Sequence, residues 1–109
     1  MQRTSEAANE YRGKGWGVKY LMRGPNVDWG VILLHPGQEL GEHGHRQVEE
    51  LFFFLSGRAT MLVNGQAHEA TAGDAFRLEP QERHNIRNDG PVDVKVVFIK
   101  TPYLPDDKI

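Results

Sequence analysis

There is no cysteine in this chain, which excludes a disulfide framework and any thiolate chemistry. A cysteine-free chain fits a reducing compartment, so a cytoplasmic location is the default expectation. No apolar run approaches the roughly 20 residues of a membrane span. The opening stretch MQRTSEAANEYRGKG lacks the apolar core of a signal peptide. An excess of either charge is also missing, with 13 Lys and Arg against 15 Asp and Glu. Without a basic stripe there is no electrostatic footprint for nucleic acid, so neither a nucleic acid nor a membrane is expected as partner. No segment carries apolar residues at spacings of three and four over the length of a helix. GKGWG has glycines but not the strand–loop–helix context that cradles phosphate, and no Ser-His-Asp order stands out.

What is present is turn chemistry between short β-rich runs. Twelve glycines and six prolines in 109 residues separate WGVKYLMRG, DWGVILLHPG, EELFFFLSG, RATMLV, QAHEA, AFRLEP, HNIRNDGP and VDVKVVFIK. Asn64-Gly65 is a strong hairpin signal. Short strands with turns every 8–12 residues predict an all-β sandwich or barrel. The length suits one domain. Residues 1–15 are polar and expected to be loosely ordered. The domain itself runs over 16–100, and residues 101–109, stiffened by Pro102 and Pro105, read as an extended tail.

The stretch EHGHRQVEELFFFLSG places titratable groups directly before the most apolar segment. Side chains alternate faces along a strand, so His43 and His45 point one way and Glu50 shares a face with Phe52 and Phe54. An unpaired buried carboxylate costs several kcal/mol unless it finds a cation. Neutral imidazoles cannot supply one, and a divalent metal can. Glu49 would face outward into solvent.

These residues also carry a family resemblance. Gly37, five residues, His43, one residue, His45, four residues, Glu50, six residues and Gly57 reproduce the first motif of the cupins. Gly73, His84 and Asn88 hold the spacings of the second motif, with Glu79 where that motif has Pro and Gln81 where it has Gly. Fifteen residues separate the motifs, and the resemblance covers Asp28 to Lys100. It implies a small antiparallel β-barrel of two packed sheets, of the jelly-roll type. It also implies one divalent transition metal per chain, held by His43, His45, Glu50 and His84. Three imidazoles and a carboxylate suit Mn, Fe, Co, Ni, Cu or Zn and disfavour Ca or Mg.

Strand phase predicts a cavity lined by Phe52, Phe54, Met61, Val63, Phe76, Leu78 and Ile86, with no inward Lys, Tyr or second carboxylate. An apolar lining of that kind points to a metal-dependent oxidoreductase of dioxygenase type acting on a small molecule. The alternatives are a metal-assisted isomerase, lyase or epimerase, and a non-catalytic small-molecule binding or sensor module, since fold alone does not choose. Asn88 is expected to be structural, because four residues along a strand put it about 13 Å from His84. His35, His68, Arg77, Arg83 and Arg87 read as surface groups, Arg83 less firmly because it lies in a turn, and Asp106-Asp107 as solvated charge. Leu51, Phe53 and Leu55 would face out, and exposed Phe53, Leu55 and Leu62 would form an apolar patch on which a homodimer packs, with the N-terminal strand crossing to the partner.

Overall fold

Turns at glycine, asparagine and proline cut the chain into eight strands, seen in a computed structural model that describes all residues 1–109. They are β1 (Gly17–Arg23), β2 (Asp28–Leu34), β3 (Glu49–Ser56), β4 (Arg58–Val63), β5 (Gln66–Thr71), β6 (Ala75–Leu78), β7 (His84–Arg87) and β8 (Val94–Thr101). A single 3-10 turn, Glu6–Ala8, precedes them. All pairings are antiparallel and make a five-stranded sheet of order β1-β2-β8-β3-β6 and a three-stranded sheet of order β5-β4-β7. The all-β, two-sheet jelly-roll expectation therefore holds.

The reason lies in turn chemistry and side-chain alternation. Asn64 and Gly65 have φ of 49° and 80°, the left-handed pair that a two-residue hairpin turn requires between Val63 and Gln66. Gly57 turns the chain between β3 and β4 at φ 84°, and a Cβ there would lie 2.3 Å from the Asp93 carbonyl oxygen. On β3, Glu50, Phe52 and Phe54 turn inward and are at most 5% exposed, while Phe53 and Leu55 face out at 45% each. Inward residues of both sheets, among them Ile32, Phe54, Met61, Ile86, Val96 and Phe98, form one core.

Several sequence expectations need correction. Phe52, Phe54, Met61, Leu78 and Ile86 are packed core, and Val63 and Phe76 lie against it. None of these seven lines the cavity at the His/Glu cluster, because strand phase selects a face but not a depth along it. The outward residues do not make one patch. Leu51 and Phe53 sit on the large sheet beside Val97 and Ile99. Leu62 belongs to the small sheet, in a polar groove with Glu39, Glu42 and Arg83. Strand β1 pairs with β2 of its own chain. Residues 1–15 contain no buried side chain, yet they are tied down: Lys19 Nζ donates to the Glu6 carbonyl at 2.8 Å and Lys95 pairs with the Glu6 carboxylate at 2.7 Å.

Gln81, where the cupin motif has glycine, keeps the glycine-like backbone, with φ of 72°. A left-handed non-glycine residue costs about 1–2 kcal/mol, partly offset by the chain entropy that glycine would lose. Gln81→Gly is therefore expected to stabilise the protein by about 1 kcal/mol and raise its Tm by a few degrees. Differential scanning calorimetry checks the sign, and a lowered Tm would contradict it.

Candidate metal centre

Three elements bring the ligands together. Residues 37–43 run beside β7 like a further strand, through Gly37 N–H to Asn88 O at 2.9 Å and Leu40 N–H to Ile86 O at 3.1 Å. At the end of this run His43 and His84 exchange backbone hydrogen bonds of 3.0 and 2.8 Å. Two residues on, His45 accepts at its carbonyl from Gln81 N–H at 2.6 Å, and Lys108 of the tail bridges it on the other side. Glu50 arrives on β3 from the large sheet. The Nε2 atoms of His84, His45 and His43 lie 3.1, 3.2 and 3.9 Å from Glu50 Oε1. One ligand atom from each of the four residues falls within 4.8 Å of the others. The predicted quartet thus forms a potential metal site.

The hydrogen bonding behind the rings fits a cation among them. His43 Nδ1 is 3.0 Å from Gly41 O, and His84 Nδ1 is 3.0 Å from Glu82 O. A carbonyl only accepts, so each Nδ1 carries the hydrogen and each neutral ring presents a bare Nε2 lone pair to the Glu50 carboxylate. Two acceptors 3.1 Å apart repel unless a proton or a cation lies between them. A divalent metal satisfies all four groups at once, and the nitrogen–oxygen donor set suits a transition ion. Burial pushes the Glu50 carboxyl up; with a proton at the Nε2 atoms that face it, the three imidazoles outweigh this and hold it well below the usual carboxylate range, and a cation among them acts in the same direction.

The sign of that shift makes a prediction. A depressed carboxylate stays ionised far into acid, so protons compete first for the imidazoles; free histidine in water titrates at about 6.5. Metal, once bound, is expected to persist below that pH and then leave cooperatively as imidazole protonation wins. Elemental analysis after dialysis along a pH series reads this directly. Content that stays unchanged down to the pH where ordinary carboxylates protonate would contradict a three-histidine site.

The surrounding residues explain the positioning. The Glu79 N–H donates to Glu82 Oε1 at 2.7 Å, a bond that proline at this motif position could not make. Asn88 is fully buried. Its Nδ2 donates to Leu34 O and Val92 O at 2.9 and 2.8 Å, and its Oδ1 accepts from Gly90 N–H at 3.0 Å, so it holds backbone together and does not face the cluster. Asp107 is not the solvated charge expected from sequence. It is buried, and its Oδ2 accepts from Gln47 and Val48 N–H at 2.8 and 2.9 Å, pinning the loop between His45 and Glu50. Burial pushes its carboxyl up, and the backbone hydrogen bonds of residues 46–48 more than offset that. His68 is exposed on β5, and His35 stands at the surface between Asp93 and the Gly15 carbonyl. Arg77, Arg83 and Arg87 form surface ion pairs with Glu49, Glu42 and Asp89.

A cavity of about 140 Å³ opens on His43, His45 and Glu50. Its apolar wall includes Ile32, Leu40, Val48 and Phe98, and its polar groups are Arg12, Tyr20, Arg23, Asp28, Lys100 and Lys108. Sequence reasoning missed all six. For Lys100 the signal was present: Val94, Val96 and Phe98 face inward, and Lys100 is next in that phase. Paired residues form one row across the five strands, Arg23–Asp28–Lys100–Glu50–Leu78. Arg23 joins it because the β1 register shifts between Tyr20 and Met22, and a bulge there re-aims the strand. Gly30, opposite Tyr20, admits the neighbouring backbone closely; a Cβ would lie 2.0 Å from Lys19 O. Across it, the Tyr20 ring meets Phe98 edge-on at 5.3 Å.

Comparison with known proteins agrees with this architecture. The family model for the cupin domain matches residues 30–100. The chain is 28% identical over 76 residues to polyketide synthase CurC of Streptomyces cyaneus, covering 70% of this chain and 49% of that protein. It is 30% identical over 68 residues to the oxalate-binding protein of Thermotoga maritima, covering 62% and 56%. The chain thus spans about half the length of the first curated relatives it matches. A Klebsiella pneumoniae protein with a double-stranded β-helix domain superposes with a TM-score of 0.86 at 22% identity, over 100% of this chain and 96% of that one. No helix is long and apolar enough to cross a membrane. With both motifs in place, the ligand quartet assembled and the family model spanning most of the barrel, the chain belongs to the cupin family.

Proposed function

We propose that the protein is a metal-dependent enzyme acting on a small molecule by metal-assisted proton transfer, as an isomerase or lyase does. One observation carries this: the cavity that opens on the ligand quartet is lined by proton-bearing groups, Tyr20 and Lys100 among them. When bound, the metal supplies a Lewis acid that polarises a carbonyl or carboxylate oxygen. His43, His45, Glu50 and His84 hold it. Tyr20 and Lys100, which donates to the phenol oxygen at 2.7 Å, are the proton-bearing groups that would meet the substrate. Leu40, Val48, Phe98, Pro102 and Leu104 limit water at the cavity walls. A dioxygenase acting on an apolar substrate rested on a purely apolar lining, which this cavity does not have. The cytoplasmic location stands as an expectation, as does a homodimer. Phe53 and Leu55 on the large sheet are the surface proposed for that dimer, and its mass is testable by multi-angle light scattering.

The test combines elemental analysis, an oxygen electrode, and proton NMR in heavy water over a panel of small keto and hydroxy acids. The expected result is about one transition metal per chain, with metal-dependent deuterium incorporation beside the substrate carbonyl and no oxygen uptake. Stoichiometric oxygen uptake would replace this reading with the oxygenase. Metal binding with neither activity would leave a small-molecule binding module.

A further inference from the structure

We infer that Tyr20, Lys100 and Arg12 form an anion subsite beside the metal ligands, built for the carboxylate group of a small organic acid. This names the substrate class of the function proposed above and rests on that reading for the ligand's other end.

The charge row across the large sheet is the starting point. Lys100 stands between two carboxylate residues, Asp28 on β2 and Glu50 on β3, and pairs with neither. Both Asp28 oxygens are taken by Arg23, at 3.1 and 3.0 Å. Glu50 Oε1 faces His84 and His45 at 3.1 and 3.2 Å. Lys100 instead donates to the Tyr20 hydroxyl at 2.7 Å. Arg12 Nη2 reaches the same oxygen at 3.4 Å. Lys100, Arg12 and Lys108 all line the cavity, and none of them forms an ion pair.

This arrangement leaves donors without an acceptor. A phenol has two lone pairs and one O–H. Lys100 and Arg12 fill the lone pairs, and no protein acceptor takes the Tyr20 hydrogen. The free O–H and the remaining Lys100 N–H groups sit on heavy atoms 2.7 Å apart, a spacing that suits the two oxygens of one carboxylate. Charge points the same way. Arg12, Arg23, Lys100 and Lys108 stand against Asp28 and Glu50, four positive against two negative, before any metal adds its own charge. Lys100 is half-buried and has no ion-pair partner, which is costly for a cation, and an anionic ligand removes that cost. The volume, about 140 Å³, is room for several waters. That admits a short organic acid.

Isothermal titration calorimetry with malonate and its neutral analogue malonamide tests the subsite, on full-length protein with and without added Mn²⁺. Malonate is expected to bind the metal-loaded protein, and malonamide at least tenfold more weakly. A hydrogen bond to a charged group is worth enough for a tenfold to hundredfold effect. Lys100→Met is therefore expected to weaken malonate about tenfold or more, with Mn²⁺ stoichiometry and Tm near wild type. Tyr20→Phe should lose about tenfold, and Lys100→Arg, which keeps the charge and a donor, should remain within a few fold. Equal affinity for malonate and malonamide, or unchanged malonate affinity in Lys100→Met, overturns the subsite while leaving the metal centre standing. Failure of the metal reading looks different: wild-type protein takes up no Mn²⁺ or other transition ion. Malonate titrated into the metal-free wild type and Lys100→Met then decides the subsite alone, since Lys100-dependent binding supports it and its absence overturns it.

Discussion

A protein carrying both His43→Ala and His84→Ala is expected to be recovered without metal, where the wild type is expected to carry about one ion per chain. The two residues supply half of the quartet and face each other across the bridge that joins residues 37–43 to β7. Partners that only hydrogen-bond to a ligand are worth 10–100-fold in metal affinity. Removing two ligands outright should therefore cost more than about 10⁴-fold. The backbone hydrogen bonds between positions 43 and 84 do not depend on the rings and survive truncation. The imidazole of residue 84 is 1% exposed and lies 5.7 Å, centroid to centroid, from Phe52, so some loss of Tm is expected as well. Plasma mass spectrometry on folded protein, with circular dichroism as the folding control, reads the outcome. Full metal stoichiometry in the double variant would place the site elsewhere.

Asn88→Ala is expected to destabilise the protein by about 2–4 kcal/mol. The side chain is fully buried and joins three separate backbone groups, the carbonyls of Leu34 and Val92 and the N–H of Gly90. Truncation leaves the buried Leu34 carbonyl without a partner at about 1–3 kcal/mol, and the part-buried Val92 carbonyl and Gly90 N–H at less, since solvent reaches them. The contacts tie β2 to the loop that leads into β8, so the large sheet loses a fastening at its β2–β8 pairing. A fall in Tm of more than about 10 °C is expected, with Mn²⁺ binding intact below the transition. A variant that stays folded and loses its metal would move Asn88 from the scaffold into the site.

The ligand quartet was legible because each of its determinants is local or periodic. His43 and His45 share a face by alternation, Glu50 leads Phe52 and Phe54 inward, and His84 keeps its spacing to Gly73 and Asn88. The asparagine–glycine hairpin and the turn at Gly57 were equally local, since φ is decided by a residue and its immediate neighbours. Lys100 could have been found the same way, as the next inward residue after Val94, Val96 and Phe98. Tyr20 and Arg23 could not both be assigned, because the bulge between Tyr20 and Met22 breaks the alternation that would predict them. Asp107 was misjudged for a related reason. Its surroundings are Gln47 and Val48, sixty and fifty-nine positions away along the chain, and nothing in PDD announces them.

The all-β architecture, the two cupin motifs and the four candidate metal-binding residues were thus determined by the amino-acid sequence, through a side-chain period of two and turn residues at set positions. Tertiary structure decided which inward residues are packed and which meet solvent, and so turned an expected apolar cavity into one lined by Arg12, Tyr20, Arg23, Lys100 and Lys108. Periodicity assigns a side chain to a face of its sheet. Depth along that face depends on where two sheets converge and what folds over their open end, which are contacts between residues distant in the chain.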